Sequence, residues 1–230
     1  MLEVRLHYNK WHQKEYSSKL TKGEKAANER ILKILGAQPG QALLDLGCGK
    51  GSFCNLAFDK GLEVYGIDFS KVALKDAKSC NAKINYILSD AESTPFKEGF
   101  FDYVVCLGSF EHFSNKAIVL KEINRVLKED GKIFMFLPNS YFLGHIYMVL
   151  KTGLPPDEGG QQFSEHFDTV SGWKRLLEEN YFKVISIQRF NSIWASRKVS
   201  RFTKYIYNFI VKPFIPFNLS YAFGYLCVKK

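Results

Sequence analysis

LLDLGCGKGSF, residues 43–53, places three glycines within five positions directly after an apolar run. Glycine loses much conformational freedom on folding and brings no side chain to pack, so such a cluster needs a specific reason. A buried strand followed by a glycine-rich turn and a helix is the usual form of a ligand-binding turn in an α/β sheet. The stretch therefore predicts a small-molecule site at the end of the first strand.

Short runs of β-branched and aromatic residues alternate with helical patterns along most of the chain. The predicted strands are ALLDL (42–46), LEVYGI (62–67), INYIL (84–88), FDYVVCL (101–107), GKIFMFL (131–137), YFKVISIQRF (181–190) and YAFGYLCVKK (221–230). Helices are predicted at 24–35, 52–59, 70–77, 114–127, 141–151 and 169–179, with Ser70 and Ser114 as N-caps. Strands separated by single helices indicate βαβ units in a Rossmann-like, doubly wound α/β fold with a mostly parallel sheet.

The length of 230 residues predicts a single domain, 1–230. After the fifth predicted strand, residues 139–170 combine an apolar helix with the Gly/Pro-rich stretch TGLPPDEGGQQ. We interpret this segment as a cap insertion over the site. It is followed by helix, strand, a basic aromatic segment at 191–220 and the last strand.

Cysteine usage and hydropathy restrict where the protein works. The five cysteines are scattered without CxxC spacing, so neither a disulfide framework nor a zinc or other metal site is indicated. The N-terminus lacks a signal-peptide pattern. The longest apolar run, Tyr141 to Leu150, is too short to cross a bilayer, which takes about 20 residues. These features predict a cytoplasmic protein with no transmembrane segment.

The net charge of +9 is concentrated near the end of the chain. Residues 1–179 contain 23 basic and 23 acidic residues, whereas residues 180–230 contain nine basic residues and no acidic one. Residues 197–213 fit a basic amphipathic helix that ends at Pro213. It predicts peripheral contact with an anionic membrane or a phosphorylated acceptor. The alternative is a helix that covers the core and exposes a solvated basic face.

Three acidic residues at successive strand tips define the ligand. Asp45 precedes a G-x-G-x-G turn, and its carboxylate would repel a pyrophosphate but attract an ammonium or sulfonium group. Asp68 stands where an acid can accept both ribose hydroxyls, and Asp90 where it can accept from an adenine amino group. Each acid alone is also explained as a helix cap or a solvated turn. Together they describe S-adenosyl-L-methionine.

The motifs LLDLGCGKG, VYGIDFS, SDAESTPF, FDYVVCLGSFEHF and EINRVLKEDGKIFMFLPN resemble, in order, the class I S-adenosylmethionine-dependent methyltransferases, near the ubiquinone and menaquinone methyltransferases. The resemblance covers residues 25–190 and implies seven strands, the last one antiparallel. The cofactor-binding residues that it implies are Asp45, Gly47, Cys48, Gly49, Asp68, Phe69, Ser70, Asp90, Ala91, Glu92, Leu107 and Gly108.

The resemblance also implies individual roles. Gly47 and Gly49 allow the backbone to approach the cofactor, Phe69 packs on the adenine, and Ala91 offers its backbone N–H. Residues 1–23 resemble the N-terminal lid that covers the cofactor in related proteins. Because a strand-tip acid carries little packing, Asp68→Ala is expected to weaken cofactor binding and to leave the fold intact.

Acceptor and base are less well defined by the sequence. Residues 138–185 resemble methyltransferases of polysaccharide gene clusters, which implies a sugar acceptor, free or linked to a nucleotide or lipid. His112 is the predicted catalytic base because its ordinary pKa, about 6.5, suits proton transfer. His145 and His166 are alternatives, and all three are also explained as structural residues. Glu111 is interpreted as a first-turn charge that interacts favourably with a helix dipole.

The sequence therefore predicts an enzyme that methylates a small molecule or glycan. A protein that binds the cofactor without turnover is an alternative, because the acidic residues indicate binding only. The basic C-terminal part suggests a nucleic-acid methyltransferase as a further alternative. Against it, LGSFEH stands after the fourth strand, where amino methyltransferases of nucleic acids usually carry (N/D)PP(Y/F).

Overall fold

A computed structural model describes residues 22–153, 166–191 and 214–230. Its described helices are α1 (Lys22–Leu35), α2 (Ser52–Asp59), α3 (Lys71–Cys80), α4 (Lys116–Val126), α5 (Leu143–Thr152) and α6 (Val170–Glu179). The described strands are β1 (Ala42–Leu46), β2 (Glu63–Asp68), β3 (Asn85–Leu88), β4 (Phe101–Leu107), β5 (Leu127–Pro138), β6 (Phe182–Phe190) and β7 (Ala222–Lys229).

These strands form one seven-stranded sheet in the order β3-β2-β1-β4-β5-β7-β6. Strands β1 to β5 pair in parallel, whereas β7 is antiparallel to both of its neighbours, β5 and β6. The predicted Rossmann-like fold with an antiparallel last strand is therefore confirmed. The chain runs outward from β1 to β3 and then returns to β4 on the other side of β1. Ligands bind beyond the carboxyl ends of the strands at such a reversal.

Strand β1 is buried along its whole length because apolar layers cover both faces of the sheet. Leu44 and Leu46 belong to one hydrophobic cluster, and Leu43 belongs to the cluster on the opposite face. Side chains alternate between the two faces of a strand, so Asp45 lies on the same face as Leu43. The face that carries this carboxyl also carries Cys54. One acidic side chain is thus placed inside an otherwise apolar layer.

The boundaries of one predicted helix and strand are wrong. The helix predicted from Ser114 to Leu127 is α4, whose N-cap is Asn115, because the Asn115 side chain accepts a hydrogen bond from the N–H of Ile118. Leu127 instead begins β5, where it pairs with Phe101 of β4. The N-cap predicted at Ser70 is confirmed, since its hydroxyl accepts from the N–H of Ala73 at 3.2 Å.

The predicted cap insertion is described at its two ends, 139–153 and 166–170. Asn139 forms a β-bridge with Asp168, and the Ser140 N–H donates to the Asp168 carbonyl at 3.0 Å. These contacts hold the two ends of the insertion together at the end of β5. Three parts of the predicted segments lie outside the described residues: 1–21 of the lid (1–23), 154–165 of the cap, and 192–213 of the basic aromatic segment (191–220).

None of the helices in the described part of the chain combines the length and apolar character that crossing a bilayer requires.

Candidate functional site

The glycine turn after β1 depends on left-handed backbone geometry. Gly47, Gly49 and Gly51 have φ angles of 76°, 52° and 72°, which residues with a Cβ adopt only at a cost. Space is restricted as well, because a Cβ on Gly47 would lie 2.5 Å from the Ser109 hydroxyl oxygen. A Cβ on Gly51 would clash with the Tyr86 hydroxyl. Backbone conformation and close packing together explain why the turn is built from glycines.

Asp68, at the end of β2, ties this turn to the next helix. One carboxylate oxygen accepts from the N–H of Gly49 at 2.9 Å, and the other accepts from the N–H of Ser70 at 2.8 Å. Asp68 is only 7% exposed. Burial raises its pKa, while bonds from the backbone of Ser70, Gly49 and Phe69 oppose the rise. The expectation that this acid carries little packing is therefore wrong, because Asp68 organises the turn.

Asp45 is the most deeply buried of the three predicted acids. It is 3% exposed on β1, beneath the glycine turn, and the Cys54 thiol donates to its Oδ2 at 3.2 Å. The pKa of Asp45 is raised from its ordinary value of 3.8 to about 7: burial raises it most, the Cys54 hydrogen bond lowers it, and the nearby charge of Asp68 adds to the rise. A carboxyl with this pKa is poised between its two forms near neutral pH. A cation bound beside it would favour the ionised form.

The end of β3 supplies the third predicted acid. Asp90 is half-buried, and its Oδ1 accepts from the N–H of Glu92 at 3.0 Å. Ala91 is 9% exposed between them. Phe69, which follows β2 and is predicted to pack on the adenine, is half-buried. Since β3 pairs in parallel with β2, with Leu88 opposite Asp68, these residues and Asp68 lie along the same edge of the sheet.

The end of β4 closes the site from the other side. Gly108 (φ 73°) follows Leu107, and the Ser109 hydroxyl donates to the Gly47 carbonyl at 3.1 Å. A short 3-10 helix, Phe110–His112, comes next, and half-buried His112 is its last residue. Leu107, Gly108 and the predicted base are therefore brought to the glycine turn by one hydrogen-bonded segment.

Glu111 lies in the first turn of the short 3-10 helix Phe110–His112, ahead of α4, which begins at Lys116. Its side chain is buried, 5% exposed, and its Oε1 lies 3.8 Å from where a Cβ of Gly108 would be. The carboxyl therefore lies over the end of β4, close to the predicted site.

The two other candidate histidines lie in the described ends of the cap. His145 packs edge-on against the rings of Phe142 and Phe167, with centroids 5.2 and 5.1 Å away, and burial lowers its pKa. His166 packs against Trp173, and its backbone N–H donates to the Glu111 carbonyl at 3.1 Å. The cap thus contacts the short 3-10 helix through His166, whereas His145 belongs to an aromatic cluster.

Several residues of this region were not predicted from the sequence. Lys50 is buried within the glycine turn, and its ammonium pairs with Asp76 of α3 at 2.9 Å. Cys54 contacts Asp45, Ser109 contacts the turn, and the Tyr86 hydroxyl fills the space beside Gly51. All of these are tertiary contacts between residues far apart in the chain or on separate elements. Only Ser109, within the motif LGSFEH, carried a local signal.

Comparison with known proteins bears directly on this geometry. Residues 44–135, from β1 into β5, match a family described as a methyltransferase domain. The demethylmenaquinone methyltransferase of Staphylococcus aureus (strain MRSA252) is 34% identical over 116 residues, which cover 47% of this chain and 48% of that protein. The matched part thus spans about half the length of the curated relatives.

Solved structures match over nearly the whole chain. A chain from the complex between the Haloferax volcanii Trm112 methyltransferase activator and a methyltransferase has a TM-score of 0.68 at 14% identity, covering 98% of this chain and 97% of that chain. Phosphoethanolamine N-methyltransferase 2 of Haemonchus contortus, in complex with S-adenosyl-L-methionine, has a TM-score of 0.65 at 20% identity, covering 97% and 56%. At such low identities these likenesses show the fold alone.

The resemblance to class I S-adenosylmethionine-dependent methyltransferases that the sequence motifs indicated is confirmed by the family match together with the curated relative. Both support a class I methyltransferase domain, for which S-adenosyl-L-methionine is the cofactor.

Proposed function

We propose that the protein transfers a methyl group from S-adenosyl-L-methionine to a small-molecule or glycan acceptor. The observation that carries the proposal is the buried carboxyl of Asp45 beneath a turn of three left-handed glycines. A buried carboxylate is costly unless a cation is paired with it, so a carboxyl in this position supports a cationic ligand. The amino group and sulfonium of the cofactor fit that requirement.

The residues at the other strand ends fit the rest of the cofactor. Each carboxylate oxygen can accept about two hydrogen bonds, so Asp68 can accept from ribose hydroxyls beside its bonds to Gly49 and Ser70. Asp90 has one oxygen bonded to the Glu92 backbone, which orients its carboxylate for an amino group. Gly47 and Gly49 leave bare backbone for close approach. The cofactor, when bound, supplies an activated methyl group on a positively charged sulfur.

The short 3-10 helix Phe110–His112 and His166 form what we call the acceptor side. His112 is proposed as the base that takes a proton from a hydroxyl acceptor, because it follows β4 beside the glycine turn. Positioning of two reactants can be worth about 7–11 kcal/mol and a general base about 10²–10⁴ in rate. The cap, joined to this side by the His166–Glu111 bond, would exclude water and select the acceptor.

A sugar, free or linked to a nucleotide or lipid, is the proposed acceptor class. Its support is the resemblance of residues 138–185 to methyltransferases of polysaccharide gene clusters. A quinol-type acceptor has the support of the demethylmenaquinone methyltransferase relative, whose similarity covers 47% of this chain. The basic segment 192–213 lies outside the described residues, so peripheral membrane binding and a cytoplasmic location stay predictions.

The test has two stages. Native mass spectrometry of the purified protein should show S-adenosylmethionine or its demethylated product bound, and the Asp45→Asn protein should lose it. Radiolabelled cofactor should then be incubated with nucleotide sugars, lipid-linked sugars, quinols and nucleic acid. Label transferred to a sugar supports the proposal in full, and label on a quinol or nucleic acid refutes the glycan acceptor. Tight cofactor binding without turnover across the panel would favour the binding-protein alternative.

A further inference from the structure

Cys54 is a buried residue for which neither the sequence motifs nor the family match provides a role. It is the third residue of α2, which begins directly after the glycine turn, and it is fully buried. Its thiol lies 3.2 Å from Asp45 Oδ2. A thiol is a weak donor in general, but a bond to a charged acceptor inside an apolar layer is stronger than one in water.

We propose that Cys54 is a positioning residue for cofactor recognition, whose thiol holds the Asp45 carboxylate ionised and oriented to receive the ammonium group of the methionine moiety. This inference rests on the proposed function for the identity of the ligand. Cys54 itself does not touch the reacting atoms. It acts through Asp45, and its effect is therefore expected on cofactor affinity rather than on the methyl-transfer step.

The surroundings of Asp45 explain why one thiol matters. The titratable groups that interact electrostatically with Asp45 lie at five places: Cys54 on α2, Cys48 in the turn, Asp68 at the end of β2, Tyr86 on β3 and Cys106 on β4. All of them are acids or neutral donors, so their own charges would oppose ionisation of Asp45. Burial does the same. Among these neighbours, Cys54 is the one whose hydrogen bond lowers the pKa of Asp45 and so favours the ionised carboxylate.

The consequence is a pH dependence of cofactor binding with a defined direction. Asp45 has a pKa of about 7, so below that pH it is mostly protonated and cannot attract an ammonium group electrostatically. Cofactor affinity should therefore fall as the pH drops through 7. Without the thiol donor, the carboxyl should stay protonated to higher pH. The low-pH limb of the affinity curve should then move upward in pH.

The experiment is a calorimetric titration of the full chain with S-adenosylmethionine from about pH 5.5 to about pH 8.5. Wild type is compared with Cys54→Ala, which removes the donor, and with Cys54→Ser, which replaces it with a hydroxyl. Cys227→Ala is the matched control, because Cys227 is also a fully buried cysteine but lies on β7, three strands from β1. 5′-Methylthioadenosine, which lacks the amino-acid moiety, is titrated in parallel.

Cys54→Ala should bind S-adenosylmethionine about 3- to 10-fold more weakly near neutral pH, with its pH curve moved to higher pH. Cys54→Ser should restore both the affinity and the position of the pH curve, and Cys227→Ala should match wild type. 5′-Methylthioadenosine should bind equally well to the Cys54 variants. An unchanged pH curve in Cys54→Ala, or an equal loss for both ligands, would overturn the role of Cys54. If wild type binds neither ligand, the proposed function fails instead. Thermal unfolding shows whether Cys54→Ala is folded. If it is not, the pH curve of cofactor affinity for Cys54→Ser is compared with that of wild type instead.

Discussion

The cofactor side and the acceptor side of the site are held in different ways. The glycine turn is fixed by the backbone: the N–H groups of Gly47 and Cys48 both donate to the Ile67 carbonyl at 2.9 Å, and the N–H of Gly49 donates to Asp68. The acceptor side depends on packing between a short 3-10 helix and the cap, with one backbone bond from His166 to Glu111. Backbone geometry restricts which residue types can occupy a position, and this restriction is visible in the sequence. Side-chain packing leaves no comparable local pattern.

The largest expected effect is that of His112→Ala, which should impair the acceptor side and leave the cofactor side intact. If His112 takes the acceptor's proton, His112→Ala should lower turnover by about 10²–10⁴ and leave cofactor affinity nearly unchanged. Steady-state kinetics and calorimetry of the same preparation measure both. His145→Ala and His166→Ala serve as comparators. A comparable loss in one of them, with His112→Ala active, would transfer the role of base to that residue.

Asp45→Asn tests how much folding stability is lost because the cofactor side contains a buried, ionisable carboxyl. The folded-state pKa of Asp45, about 7, exceeds its ordinary value of 3.8, so the fold favours the protonated form. The stability that this provides is complete below about pH 4 and is lost as the pH rises through 7. Asn cannot ionise, so the variant should be more stable than wild type above pH 7, by at most roughly 4 kcal/mol.

Denaturant unfolding between about pH 4 and pH 8 measures this difference. Relative to wild type, Asp45→Asn should bind the cofactor more weakly over the same pH range in which it is the more stable protein. Equal stability of the two proteins at every pH would contradict the ionisable, buried state of Asp45.

Asp68→Ala should affect binding and folding together. Loss of hydrogen bonds to a charged group, worth about 1.5–3 kcal/mol, should weaken cofactor binding roughly 10- to 150-fold. Because Asp68 also bonds the backbone of Gly49 and Ser70, the apo-protein should lose stability as well. Asp90→Ala is the comparison, since Asp90 is half-buried and accepts from Glu92 nearby. Calorimetry and thermal unfolding should show a larger stability loss for Asp68→Ala than for Asp90→Ala.

The smallest effect concerns the turn alone. Gly51→Ala introduces a Cβ at φ 72° against the Tyr86 hydroxyl, whereas Gly40→Ala introduces one at φ 81° with nothing within 4 Å. The left-handed conformation costs about 1–2 kcal/mol in each. Denaturant unfolding should therefore show Gly51→Ala less stable than Gly40→Ala, and Gly51→Ala with Tyr86→Phe should recover part of that difference. Equal losses would mean that Tyr86 moves aside.

Sequence patterns predicted the fold where one local requirement dominates. The bounds of β1 and β4 match the predicted runs, 42–46 and 101–107, because apolar strands buried on both faces are continuous in sequence. The three glycines predicted the turn, since its φ angles permit little else. These are the parts of the molecule in which residue type and backbone conformation determine each other.

The remaining parts depend on contacts that sequence spacing does not encode. The Cys54–Asp45 hydrogen bond joins a helix to a strand, and Tyr86 reaches Gly51 from another strand. Glu111 is buried in the short 3-10 helix, although the sequence suggested only a first-turn charge. Charged residues near a predicted helix start are usually solvated, so its position over the end of β4 could be found only in the structure.

The strand order also bears on how the protein is made. Among the described strands, β6 pairs with β7, and β7 in turn separates β6 from β5. On the ribosome, residues 182–190 leave the exit tunnel before residues 222–229, so β6 emerges earlier than the strand that connects it to the sheet. Until β7 arrives, β5 and β6 both expose unpaired strand edges, which favour association between nascent chains. The parallel half with the glycine turn can form during synthesis, while the antiparallel edge must wait for its last strand.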